Sequence, residues 1–140
     1  MNTTNGANEG TAPARRVLLV DDSADAAEAL SMLLETLGHD VRTKHDGASA
    51  LAIVDEFRPE VVICDIGLPG MDGFAVAREL RKLPSTRDAL LLALTGFGGA
   101  DDRARATAAG FDHHIVKPVS FADLETLIDR SFGPDQKRNF

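Results

Sequence analysis

The 140-residue chain has no tryptophan and no tyrosine, a single cysteine, and fewer basic than acidic side chains. Each shortage excludes something. Without tryptophan or tyrosine there is no large amphipathic ring to stack on a flavin. One cysteine cannot form an internal disulfide, and its isolation fits a reducing compartment. With 15 Lys and Arg against 22 Asp and Glu, the formal net charge is -7. Phosphate backbones are bound by basic faces, so the chain is not expected to contact nucleic acid directly. The longest apolar run, Ala89–Leu94, is far short of the about 20 residues that span a bilayer. The Asn/Thr/Gly-rich start carries no apolar segment of signal-peptide type, so a cytoplasmic location without membrane contact is expected. What remains is 44% hydrophobic residues, enough for one domain with a real core.

Those hydrophobic residues fall into alternating short runs and helical stripes. Residues 1–15 are polar and aperiodic and read as a disordered leader, with the folded domain at 16–132 and a loose tail at 133–140. Val17–Val20 gives a strand ending on Asp21–Asp22, and Ser23 caps a helix that Gly38 stops. The inward stripe of that helix is Ala27, Leu30, Leu34 and Leu37. His39–Thr43 is polar enough for an edge strand. Asp46 then caps a helix carrying Ala50, Leu51, Val54 and Phe57. Val61–Asp65 is a run of strand type that ends on a carboxylate, with Pro69, Gly70 and Gly73 following at once. A helix to about Leu83, a strand Ala89–Thr95, an Ala-rich helix 100–109, a strand Phe111–Val116 and a helix opened by Ser120 and Asp123 complete the chain. In the last helix Phe121, Leu124, Leu127 and Ile128 face inward, and Gly133 ends it. The histidines His39, His45 and His113 read as surface residues, and Cys64 as core.

Strands alternating with helices predict a parallel sheet with right-handed crossovers. Five such units fit a flavodoxin-like, doubly wound (βα)5 fold of strand order 2-1-3-4-5, with its crevice between strands 1 and 3. Strand 1 ends on Asp21–Asp22 and strand 3 on Asp65, so three carboxylates converge there. Two unit charges about 4 Å apart repel by roughly 4 kcal/mol at an effective dielectric near 20, so such a cluster calls for a cation. Oxygen ligands alone suit Mg²⁺. The ends of strands 4 and 5 add Thr95 and Lys117. Hydroxyl, ammonium and carboxylate–Mg²⁺ together make a cage for a phosphoryl group, and a carboxylate is a competent nucleophile towards phosphorus. Lys117–Pro118 allows a cis peptide that would aim Lys117 into the crevice.

The set Asp21–Asp22, Asp65 in Cys-Asp-Ile-Gly-Leu-Pro-Gly-Met-Asp-Gly, Thr95–Gly96 and Lys117–Pro118 resembles the receiver domain of two-component response regulators. The likeness runs from about Arg16 to Phe132. It implies Asp65 as phosphoacceptor, Asp22, Asp65 and the Gly67 backbone carbonyl as Mg²⁺ ligands, and Asp21 as a partner of the metal from its outer shell. It also implies Thr95 as the switch hydroxyl and Lys117 as the phosphate counter-ion. The segment ending Ala-Gly-Phe-Asp-His-His-Ile-Val-Lys-Pro-Val is most similar to receivers associated with hybrid histidine kinases. The second switch position, usually Tyr or Phe in that family, is His114 here.

The resemblance makes the chain a signalling module rather than an enzyme. A sensor histidine kinase or a histidine phosphotransfer protein is the donor. Few residues follow the last helix, so the output is expected through protein–protein contact, from a chain that stands alone. The alternative is an aspartate-nucleophile, Mg²⁺-dependent phosphohydrolase. That class shares the carboxylate, metal and lysine, but resembles an Asp-x-Asp pair after strand 1 together with a cap domain.

Overall fold

The structure, a computed structural model, describes residues 14–96 and 99–131. The strands β1 (Arg16–Val20), β2 (Asp40–Lys44), β3 (Val61–Asp65), β4 (Leu90–Thr95) and β5 (His113–Val116) form one parallel sheet in the order β2-β1-β3-β4-β5. Between and after them run α1 (Ala24–Thr36), α2 (Gly47–Phe57), α3 (Gly73–Lys82), α4 (Ala100–Ala109) and α5 (Phe121–Ser131). This is the expected doubly wound fold, with β2 and β5 at the edges.

Central strands of a parallel sheet are covered on both faces, which is why they read as unbroken apolar runs. Every residue of β3 and β4 is buried. Alternate side chains then feed two separate cores. Leu18, Val62, Cys64 and Leu91 pack with Val54, Phe57, Val76, Leu80 and Ala106, so α2, α3 and α4 cover one face. Val17, Leu19, Ile63, Leu90 and Leu92 pack with Ala27, Leu34, Leu124 and Ile128, so α1 and α5 cover the other. Leu30, Leu37, Leu51, Phe121 and Leu127, expected to face inward, are only partly buried. On the outer side of α1, Met32 and Leu33 are exposed.

Helix starts follow the expected chemistry. Ser23, Asp46, Asp72 and Ser120 accept the N–H groups of Ala26, Ser49, Ala75 and Asp123 at 3.3, 2.7, 2.9 and 3.3 Å. Helix α4 differs, because its cap residue Gly99 has no side chain to offer. Gly38, at φ 97°, turns the chain out of α1 in a conformation that other residues strain to adopt. The expected helix end at Gly133, the tail and residues 1–13 of the leader lie outside the described residues.

Two boundaries differ from expectation. The leader was expected to run to residue 15, yet Arg15 is tied down. Its N–H donates to His39 Nδ1 at 3.0 Å and its guanidinium to Glu60 at 3.2 Å. Strand β5 begins at His113 rather than at Phe111. Phe111 is buried in the core beside α4, and Asp112 turns its carboxylate to the Leu91 N–H at 2.9 Å and to Arg81 at 3.0 Å. That arginine, at the C-terminal end of α3, also donates to the carbonyls of Arg87, Ala89 and Gly110 at 2.7–2.9 Å. It fastens the ends of α3 and α4 to the starts of β4 and β5.

Candidate functional site

The opposite, carboxyl rim of the sheet gathers the acids. Strand pairing puts Val20 beside Cys64, so the residues that follow, Asp21 and Asp65, leave neighbouring strands at the same level. Asp21 and Asp65 are 3% and 8% exposed, and Asp22 is open to solvent. One carboxylate oxygen from each of the three lies within 4.8 Å of the others. Asp65 Oδ1 accepts the Gly67 N–H at 2.8 Å, and Asp21 Oδ1 accepts the Ser23 N–H at 3.0 Å.

Lys117 reaches the same place from β5. Its Nζ is 2.8 Å from Asp65 Oδ2 and 3.5 Å from Asp21 Oδ2. Partial burial works against its charge, but the hydrogen bond and charge of Asp65, with Asp21 behind it, outweigh that cost and raise its pKa. The backbone aims it. The Lys117 N–H donates to the Thr95 carbonyl at 2.7 Å, and the Lys117–Pro118 peptide is cis. Thr95 is buried at the rim, one residue beyond the Leu94 that pairs with Asp65.

A close backbone approach completes the cradle. A Cβ added at Gly73 would fall 2.5 Å from Ile66 Cα and 2.6 Å from the Asp65 carbonyl oxygen, so the first turn of α3 lies directly against the end of β3. Met71 folds back over the start of α2, where a Cβ on Gly47 would lie 3.1 Å from its sulfur.

His114 is not part of this cluster. It sits on β5 opposite Ala93, below the rim. Both ring nitrogens are shut away from water, with no hydrogen-bond partner among the described residues. Burial, then the nearby Arg103, lower its pKa, with Asp102 opposing. The ring borders a cleft of about 520 Å³ between β5 and α5, lined also by Val116, Leu127 and Arg130.

The other histidines divide. His113 is exposed, as expected. His39 is 5% exposed, contrary to expectation, because it packs at the start of β2 and accepts the Arg15 N–H. Burial first, then Arg15, lower its pKa, while Glu125 and Glu60 pull the other way. His45 is exposed, yet its Nδ1 lies 2.8 Å from the Asp21 carbonyl oxygen. Neither that contact nor the Arg81 clamp follows a helical or strand period, so the sequence carried no signal for them beyond a His close to the rim and a base in the last turn of a helix. Cys64 is buried as expected; burial first, then Asp65 and Asp21, push its thiol pKa far up, which makes it unreactive.

The donor set fits a hard divalent cation. The three acids offer oxygen only, clustered tightly enough to share one ion, and no His or Cys joins them. A doubly wound sheet with three carboxylates and a lysine gathered at its carboxyl rim defines a class of protein built to hold a divalent cation and an anion there. Within that class, residues 17–129 match the response regulator receiver domain family, and the chain belongs to it. It is a receiver domain of two-component signal transduction, and nothing supports the phosphohydrolase alternative.

The chain is 38% identical over 109 residues to the transcriptional regulatory protein PrrA of Mycobacterium tuberculosis, a match covering 78% of this chain and 46% of PrrA. The chain spans about half the length of the transcriptional regulators it matches. Among solved structures, the chemotaxis protein CheY4 of Vibrio cholerae superposes with TM-score 0.80 at 30% identity, over 84% of this chain and 98% of that one. The receiver domain of a histidine kinase from Syntrophus aciditrophicus gives TM-score 0.78 at 30% identity, over 89% and 96%. No helix among the described residues is long and apolar enough to cross a membrane.

Proposed function

We propose that Asp65 is the residue that accepts the phosphoryl group, from a phosphohistidine on a sensor kinase or a phosphotransfer protein. The observation that carries this reading is Lys117 Nζ at 2.8 Å from Asp65 Oδ2 and 3.5 Å from Asp21, inside a three-carboxylate cluster. An Asp65 oxygen attacks phosphorus, the P–N bond to the donor imidazole breaks, and the imidazole leaves as a neutral or protonated ring. Each carboxylate oxygen has two lone pairs, so the contacts from Gly67 and Lys117 orient Asp65 without exhausting it. After transfer, Lys117 is placed to pair with a phosphoryl oxygen and Thr95 to donate its hydroxyl to another. Asp22, Asp65 and the Gly67 carbonyl would hold Mg²⁺, with Asp21 supporting it from its outer shell. When bound, the ion neutralises charge on the transferring oxygens.

The added charge draws Thr95 inward. Helix α4 is the part that responds, because its start lacks a side-chain cap and its sequence is rich in alanine. The half-buried ring of His114, whose nitrogens have no partner among the described residues, stands where an aromatic switch residue would move. Output leaves by protein contact, and the acidic chain itself makes no contact with nucleic acid. Association with a hybrid kinase is supported by the likeness to the histidine-kinase receiver, and a cytoplasmic site by the acidic composition.

Asp65→Asn tests the assignment. The variant should fold and give no acyl-phosphate after incubation with acetyl phosphate and Mg²⁺, read by intact-protein mass. Undiminished labelling would disprove Asp65 as acceptor.

A further inference from the structure

Asp21 is held at each of its polar groups, and one of the holders is a side chain from outside the site, His45. Its N–H donates to the Lys44 carbonyl at 3.0 Å, Oδ1 accepts from Ser23, and Oδ2 faces Lys117. Its carbonyl oxygen is 2.8 Å from Nδ1 of His45. A carbonyl can only accept, so Nδ1 carries the proton. The ring arrives at a fixed place because both neighbours are committed: Lys44 to the Asp21 N–H, and Asp46 to the cap of α2.

We propose that His45 is a positioning residue for the cation and phosphoryl site, acting through the peptide that joins Asp21 to Asp22. This inference rests on the reading of these acids as a Mg²⁺ site. The peptide unit is planar, so the Asp21 oxygen and the Asp22 N and Cα move as one body. Gripping the oxygen restrains rotation about the Asp21 Cα–C bond and thereby the place of the Asp22 Cα, from which its side chain departs. That matters for Asp22 in particular. Asp21 is buried among its own contacts, whereas Asp22 is exposed and is tied to the sheet through its backbone. A hydrogen bond that merely steadied the β2–α2 turn would change stability and leave cation affinity alone.

Three variants of the whole chain separate the two roles. His45→Asn keeps an N–H near the place of Nδ1; His45→Gln moves it to about the place of Nε2; His45→Phe keeps the ring and removes the donor. Mg²⁺ affinity is measured by calorimetric titration, and the Asp21 carbonyl and Asp22 amide shifts by NMR on metal-free protein. His45→Phe and His45→Gln should weaken Mg²⁺ binding by about ten-fold, the scale of lost outer-shell support. Both resonances should move without metal, and His45→Asn should restore affinity and shifts together. Wild-type affinity in His45→Gln or His45→Phe, or a loss that His45→Asn does not repair, overturns the inference and leaves the acceptor site standing. Failure of the wild-type chain to bind Mg²⁺ would instead remove the site itself, and the inference with it.

Discussion

The two ends of the sheet use charge in opposite ways. At the amino end, Arg81 meets three backbone carbonyls and Asp112, and Arg15 and Arg16 share Glu60. Each cation there is matched by acceptors, and the result is a fastening. At the carboxyl end three carboxylates face one ammonium. That end is left short of positive charge, and the shortage is what a divalent ion and then a phosphoryl group can exploit. Stability and function are therefore separable along the strand axis.

Breaking the fastened end should cost most. Arg81→Ala strips the partner from the carbonyls of Gly110, Arg87 and Ala89 and should lower unfolding free energy by about 3 kcal/mol, read as the shift of a urea transition. Mg²⁺ affinity should stay as in wild type, because all the hydrogen bonds of Arg81 lie at the end of the sheet away from the acids. A single ammonium cannot copy the fork, so Arg81→Lys should recover only part of the loss. A fall in metal affinity would show that the two ends are not independent.

Removing the cation that touches the acids should cost less and show a metal signature. Lys117→Met should destabilise the metal-free protein by about 2 kcal/mol, between the values for exposed and buried pairs because Lys117 is about a third exposed. Mg²⁺ should then raise the melting temperature by more than it does in wild type, since the ion would relieve repulsion that no side chain offsets. An equal rise in both proteins would mean that Lys117 does not balance the cluster.

The smallest effect is titration at the amino end. The folded pKa of His39 lies below its ordinary value of 6.5, so the unfolded chain takes up the proton first. Its contribution is full above about pH 6.5 and is lost as the pH falls towards the folded value. His114 shifts in the same direction and adds to the slope. His39→Asn keeps an acceptor for the Arg15 N–H and should flatten the dependence of urea midpoints between about pH 5 and 7. An unchanged slope would assign the whole effect to His114.

The same division marks what the sequence could disclose. Strands β3 and β4 were legible because burial on both faces leaves an unbroken apolar run, and the acids were legible because they stop those runs. Three helix starts were marked by Ser23, Asp46 and Ser120. Asp21, Asp22, Asp65 and Lys117 meet as expected because strand order alone brings their segments together. His39 and Arg15 were misread because each is held by a partner far away in sequence, a contact with no period. The Arg81 clamp was invisible for the same reason: its acceptors are backbone carbonyls, which every residue has. His45 was placed correctly on the surface, but its bond to Asp21 depends on the direction of one carbonyl.

The close approach at Gly73 carries a consequence for how movement is passed on. With backbone against backbone and no side chain between, there is no cushion of rotamers to absorb a shift. A displacement of the strand that ends in Asp65 is handed to the start of α3 undiminished. At this point the chain works as a rigid coupling, and even one methyl group would force it open.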